Sequence, residues 1–241
     1  MASREFASTQ WSLILAAGDR SSSQGAAAFA SLCRLYWRPL YAYVRRRGSS
    51  VEDARDLTQS FFARLMEKNS IGLARRERGR FRTFLLTSLQ NFLSNEWDRD
   101  HALKRGGGNE FLSIEDFRGA ENEYLLDRSA KELPPDKLYE RKWTLALLDR
   151  ATARLASEFA AAGKSSTFEA LRGFLAGDGG GPAYTEIAAT LGIGEVAARV
   201  AVHRLRGRLR DVLRMEIADT VAEPDNPDAI QEELRSMLAA L

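Results

Sequence analysis

The sequence predicts an all-α protein of two small helical domains joined by a flexible acidic linker, and three observations carry that prediction. Apolar residues recur at three- and four-residue spacings along most of the chain, the signature of helices that bury one face. Val-rich alternating runs, which would build a sheet, are missing. Glycine and proline gather in a few clusters, chiefly Gly106–Gly108, Pro134–Pro135 and Gly177–Gly181, which punctuate the helical stretches. At 241 residues the chain can bury two modest cores.

Taken in order, Gln10 to Ala17 is a short apolar stretch, followed by long amphipathic runs at Ala26–Arg47, Val51–Lys68 and Phe81–Leu103. Pro39 removes one ladder hydrogen bond from the first long run, so a kink is expected there. Gly48 closes that helix. Ser50-Val-Glu-Asp53 has the form of a capping box, in which hydroxyl and carboxylate satisfy free amides at a helix start. Asn109 to Asp136 is polar and acidic with little apolar periodicity, and is expected to be the linker. Helices then follow at Lys137–Ala162, Ser166–Ala176 behind a second capping box of Ser166 and Glu169, Tyr184–Leu191 and Glu195–Glu216. The glycines of 177–181 lack the Lys-Ser/Thr ending and the preceding strand of a phosphate-binding loop, so they are expected to form a flexible turn. The tail from Ile230 to Leu241 has the spacing of a further amphipathic helix, free to fold back on the C-terminal domain or to meet a partner.

The formal net charge of +2 hides a strong asymmetry. From Arg34 to Arg105 there are 16 Lys/Arg against 8 Asp/Glu, and from Gly106 to Glu140 the balance is 4 against 9. Ala183 to Met215 carries 6 against 3, and Glu216 to Leu241 carries 1 against 7. Two basic blocks, separated by an acidic connector and followed by an acidic end, suit a chain that touches a polyanion in two places. The single cysteine, Cys33, excludes an internal disulfide and is expected to be a buried small hydrophobe. With only His101 and His203 besides, no multi-ligand zinc site is expected, and no cofactor. No apolar run of membrane-spanning length and no secretory signal pattern occur, so a cytoplasmic protein that makes no contact with membrane is expected. Neither a paired His and Cys nor a nucleophile elbow supports an enzyme.

The most specific local signal lies between Tyr184 and Arg210: a short helix, a tight turn at Gly192-Ile-Gly194, and a longer helix from Glu195. This is the layout of a helix-turn-helix, with Gly192 freeing the turn and Ile193 expected to plug the core. Successive residues 100° apart place Ala198, Ala201, Val202, Leu205, Leu209, Val212 and Leu213 on one side of the longer helix. Arg199, His203, Arg206 and Arg210 fall on the other. Such a stripe can be a solvated face, but behind this turn it is presented to the major groove, where Arg meets guanine edges and phosphates. Arg199 is the expected base reader, Arg206 and Arg210 are expected on phosphates, and His203 suits either.

In the N-terminal block, Ala54, Leu57, Phe61, Phe62 and Leu65 form an apolar stripe, and Glu52, Asp56, Gln59, Ser60 and Glu67 line the other side. Arg75-Arg-Glu-Arg-Gly-Arg-Phe-Arg82 follows, then an aromatic-bearing helix that ends with Trp97, Arg99, Lys104 and Arg105. Cations interleaved with aromatics suit single-stranded nucleic acid, although helical spacing puts Phe84 and Phe92 on the apolar side.

The ordered set Glu52-Asp-Ala-Arg-Asp-Leu-Thr-Gln-Ser-Phe-Phe62, Arg80-Phe-Arg-Thr-Phe-Leu-Leu-Thr-Ser-Leu-Gln-Asn-Phe92 and Tyr184-Thr-Glu-Ile-Ala-Ala-Thr-Leu-Gly-Ile193 resembles the extracytoplasmic-function (ECF) sigma factors of bacterial RNA polymerase. The resemblance implies a sigma-two domain over residues 1–105, a linker over 106–136, a sigma-four domain over 137–216 and an acidic extension over 217–241. It implies no catalysis. The partners it implies are core RNA polymerase, through the clamp helices of the largest subunit and the flap, and promoter DNA. Carried over by position, Asp53, Asp56 and Gln59 belong to the core-binding helix. Arg75, Arg76, Arg78, Arg80 and Arg82 surround a flipped base of the minus-ten element, and Asn91, Trp97, Arg99, Lys104 and Arg105 lie along the melted strand. Arg199, His203, Arg206 and Arg210 meet the minus-thirty-five element.

The chain departs from the family pattern in two places, the core-binding helix and the turn. Arg55 stands where an acidic residue is usual and Thr58 where an apolar one is, which weakens the negative face offered to the polymerase. The resemblance implies a Ser/Thr kinase or an anti-sigma factor as controlling partner, and phosphate on Thr58 is expected to restore the missing charge; the helical wheel, however, puts Thr58 within the apolar stripe and leaves Ser60 better exposed. Gly194 replaces the usual capping Ser of the turn. The alternative reading is an autonomous helix-turn-helix regulator that binds duplex DNA as a dimer, which leaves the Arg75–Arg105 block without a task.

Overall fold

The computed structural model describes residues 14, 17–18, 23–68, 70–74, 80–102, 117–127, 129–176, 183–218, 221, 223 and 225–241. Among them the fold is all-helical. The helices are α1 (Ser23–Arg46), α2 (Val51–Glu67), α3 (Phe81–Ala102), α4 (Phe117–Leu126), α5 (Ser129–Glu132), α6 (Pro135–Ala161), α7 (Ser165–Leu171), α8 (Tyr184–Leu191), α9 (Glu195–Ala218) and α10 (Pro227–Leu238). Short 3-10 turns stand at Ser70–Leu73 and Arg172–Ala176.

The chain divides into two compact units, one drawn from 1–146 together with 217–241, the other Leu147–Glu216. The first unit therefore takes in the stretch expected to be a linker, the first turns of α6 and the acidic extension.

Within the first unit, α1 runs without interruption through Pro39. Its positions Leu32, Tyr36, Leu40, Tyr41 and Val44 are buried, spaced as one face of a helix requires. Gly48 ends the chain's first long run at φ +99°, in the region that glycine alone enters cheaply. At the start of α2, the Asp53 N–H donates to Ser50 Oγ at 3.0 Å, and the Ser50 hydroxyl donates to the Asp53 carboxylate at 2.7 Å. The hydroxyl half of the expected capping box is thus formed, while the carboxylate takes the hydroxyl proton rather than an amide. Ala54, Phe61, Phe62 and Leu65 are buried as their spacing predicted. Phe61 meets Phe92 of α3 with ring centroids 5.7 Å apart, and Tyr36 meets Phe81 edge-on at 5.5 Å. Cys33 is buried, and burial pushes its thiol up to about 12.

Helix α4 falls in the stretch that periodicity left as linker. It is held by side chains on α1. Arg45 makes two 2.9 Å hydrogen bonds to the Glu121 carboxylate, and Tyr41 donates to the same carboxylate at 2.6 Å. Phe117 packs edge-on against Trp37 at 5.0 Å, and Glu123 accepts from Arg38 at 2.9 Å and from Lys142 at 3.0 Å. Ten residues with this little amphipathic pattern are too short for a stable isolated helix, so docking onto α1 supplies what local propensity does not.

Within the second unit, Leu155, Phe168, Leu171, Phe174, Ile187, Ala188, Ala198, Val202 and Leu205 make one core. The expected capping box at Ser166 is absent: α7 starts at Ser165 behind Lys164 without a side-chain cap, and Glu169 pairs with Arg172 at 3.1 Å instead. Gly192 ends α8 at φ +64°, and the Ile193 N–H reaches back to the Ala188 carbonyl at 3.0 Å, the backbone arrangement of a glycine C-cap. Ile193 is 38% exposed rather than plugging the core; Ile187, Ala198 and Val202 fill that space.

Candidate nucleic-acid interface

The basic face of the second unit is built on α9. Its apolar side is set by burial of Ala198, Val202, Leu205, Val212 and Leu213, which fixes the rotation of the helix and turns Arg199, His203 and Arg210 outward as exposed side chains. Arg199 is held at the helix start, with its guanidinium 2.7 Å from Glu195 and 4.8 Å from the Tyr184 ring centroid. The Glu195 bond raises its already high proton affinity further. Arg206 is half-buried and donates to the Phe174 carbonyl at 3.0 Å, an anchor that ties α9 to the turn after α7. Of the four residues predicted on this face, Arg206 thus also anchors the fold through a backbone carbonyl.

The same face carries two residues that sequence reasoning did not single out. Val196 is 77% exposed and Val200 is 44% exposed. With Arg199 and His203 they occupy positions three and four apart, one continuous surface of the helix. Apolar residues interrupting a polar face were the available signal.

In the first unit, Asp53 and Asp56 are exposed on α2 and Gln59 is half-buried. Arg55 lies 3.2 Å from the Asp56 carboxylate with both side chains at least half exposed, an ion pair that water screens heavily. Thr58 is fully buried and its Oγ1 donates to the Ala54 carbonyl at 2.7 Å. A kinase could reach that hydroxyl only after α2 left the core.

Asn91 and Trp97 are exposed on α3, Trp97 to 64%. A cleft of about 620 Å³ opens beside the indole, lined also by Arg47, Leu57, Leu93 and Glu96. Arg47 was not foreseen as a site residue; it follows the end of α1, and the spacing within α3 gives no hint of it. Leu57, Leu93 and the Trp97 ring give this cleft an apolar part with the chemistry to receive an unstacked base, and Arg47, Ser49, Ser94 and Glu96 make the rest of it polar.

Arg80 and Arg82 stand at the start of α3 and differ from the rest. Arg80 is half-buried, and Arg82 is 2% exposed. The Arg82 guanidinium lies 4.4 Å from the Trp143 ring centroid, donates to Glu140 at 2.9 Å and pairs with Glu233 of α10. Burial pulls its proton affinity below the ordinary arginine value, with the Glu140 charge opposing that shift. Arg75, Arg76, Arg78, Lys104 and Arg105 lie outside the described residues, as does the side chain of Arg99.

Among the described residues no group of three or more His, Cys, Asp or Glu could hold a metal ion, and no helix is long and apolar enough to cross a membrane. No curated protein and no solved structure matches the chain. Residues 32–102, from within α1 to the end of α3, match the family model described as sigma-70 region 2. That stretch of the first unit is thus similar to sigma-70 region 2, a likeness that supports a sigma-factor role in RNA polymerase binding and promoter recognition.

Proposed function

We propose that the chain is a sigma factor of the extracytoplasmic-function type, which lends RNA polymerase its promoter specificity by binding alone. The observation that carries this reading is the coexistence of a sigma-70 region 2 match at 32–102 with a second helical unit that presents Arg199, His203 and Arg210 outward behind a glycine-capped turn. In this reading α2 offers Asp53, Asp56 and Gln59 to the clamp helices of the polymerase. The minus-ten strand follows the basic block, Arg75, Arg76, Arg78, Arg80 and Arg82, and then Asn91, Trp97, Arg99, Lys104 and Arg105. Trp97 stacks on an unpaired base at the cleft that Arg47 borders. Opening the duplex draws on contacts to phosphates and on the holding of unstacked bases, and needs no bond to be made or broken.

The second unit reads the minus-thirty-five element through α9. Arg199, pre-positioned by Glu195 and Tyr184, meets a guanine edge, and Val196 and Val200 meet thymine methyl groups. Arg206 and Arg210 hold phosphates. The buried position of Thr58 favours a packing role over phosphate acceptance, so control by a kinase at that residue requires local opening of α2.

Co-purification with core RNA polymerase and run-off transcription from a promoter test the reading. A sigma factor associates with core and directs specific initiation, yet binds the same duplex weakly by itself. An autonomous helix-turn-helix regulator would bind duplex tightly alone and leave core polymerase unaffected.

A further inference from the structure

Two arginines that the proposed function assigns to promoter DNA are already occupied by an acid from the far end of the chain. Arg80 Nε lies 2.6 Å from the Glu233 carboxylate, Arg82 pairs with its other oxygen, and Arg80 also approaches the Ser236 hydroxyl at 3.5 Å. Glu233 has no exposed side-chain surface. A carboxylate removed from water in this way is costly unless opposite charge compensates it, and Arg80 and Arg82 supply that charge. The planar guanidinium fork that grips a carboxylate is the one that grips a phosphate.

Helix α10 is built to deliver that acid. Asn226 caps it by accepting from the Asp228 N–H at 3.0 Å and the Ala229 N–H at 3.4 Å, and Pro227 occupies its first turn. Leu234 and Met237 are buried beside Glu233, and the Leu241 carbonyl accepts from Arg141 at 2.5 Å. Glu232, Arg235 and Leu238 are exposed, so a single narrow seam fastens the helix to the unit. The stretch from Glu216 onward, Glu233 included, is acidic, with 7 Asp/Glu against 1 Arg.

We infer that α10 is a built-in competitor for single-stranded nucleic acid, its Glu233 carboxylate occupying the Arg80–Arg82 pair in place of a DNA phosphate. The inference rests on the proposed assignment of these arginines to the minus-ten strand. With α10 seated, the single Glu233 charge is shared by both guanidinium groups; with α10 displaced, Arg80 is released while Arg82 keeps Glu140 as its partner, and promoter contact and tail release are coupled.

Anisotropy of a fluorescent single-stranded oligonucleotide, titrated with the full chain over a range of salt, provides the test. Glu233→Gln should bind about tenfold more tightly than the unaltered chain. Its slope of log affinity against log salt should steepen by about 0.7, from the one phosphate contact that Arg80 is freed to make. Met237→Ser, which loosens the seam, should shift both in the same direction, and adding Arg80→Gln to Glu233→Gln should cancel the gain in slope. A Glu233→Gln chain with unaltered helicity, affinity and salt slope overturns the inference. Amide exchange on the unaltered chain decides should the variants fail to fold: saturating oligonucleotide must deprotect residues 230–238, and undiminished protection there is contradictory. Binding to core polymerase without any gain for Glu233→Gln would remove the competitor and leave the sigma-factor reading standing. A gain without any binding to core would do the reverse.

Discussion

Thr58 illustrates how a single residue's surroundings decide between two readings of the same side chain. Its hydroxyl is back-bonded to Ala54 and wholly enclosed, so Thr58→Val should be tolerated, with a change in unfolding free energy within about 1 kcal/mol. Thr58→Glu places a charge among Phe61, Phe62 and the rest of the core, and should destabilise the protein by about 3–5 kcal/mol in chemical denaturation. A Glu variant that unfolds like the unaltered chain while stimulating transcription would instead mark Thr58 as a switch. On α9, Arg199→Ala should weaken binding to the minus-thirty-five element by about 1–3 kcal/mol and relax discrimination at one base pair. Arg210→Ala should weaken all sequences alike and lower the salt slope by about 1. Competition titrations with single-base variants of that element, in the polymerase-bound state, separate the two outcomes.

At the scale of elements, helix α4 owes its place to Glu121. Hydrogen bonds from Arg45 and then from Tyr41 hold its carboxyl below the ordinary value of 4.5, against the opposing effect of burial. A carboxylate whose folded value is depressed contributes stability above its unfolded value and loses it as pH falls through the folded one. Acidification from about pH 6 to 3 should therefore weaken the first unit, and Glu121→Gln should make its unfolding midpoint less steeply dependent on pH in that window. Unchanged pH dependence in the variant would detach α4 from this ion pair. The same helix shows what the sequence could and could not reveal. Long helices with strong stripes, α1, α2 and α9, were legible because their burial is periodic, and so was the turn at Gly192, because only a left-handed backbone fits there. Helix α4 was not legible because its partners, Arg45 and Trp37, stand about eighty residues upstream and leave no local trace. The start of α10 was missed although Asn226-Pro227 is a capping signal, since apolar spacing becomes regular only from Ile230 onward. The helix start at Ser165 shows the converse, a capping pattern that the backbone does not use.

For the whole molecule, acidic segments are placed against basic ones within the first unit. Glu121 and Glu123 of α4 meet Arg45, Arg38 and Lys142, and Glu233 of α10 meets Arg80 and Arg82. The asymmetry of charge along the sequence, read as a sign of two contacts with a polyanion, thus serves in part to satisfy the chain's own cations. The formal net charge of +2 is the sum of these opposed segments, and in the proposed reading their pairing gives the isolated chain a reason to bind DNA poorly until a partner reorganises it. The most direct measurement is sedimentation or co-purification of the full chain with core RNA polymerase, followed by run-off transcription. The account predicts a stoichiometric complex that initiates at a defined promoter and is weakened by Asp53→Arg together with Asp56→Arg on α2. A chain that never enters a complex with core enzyme, yet shifts duplex DNA by itself at low concentration, would contradict it.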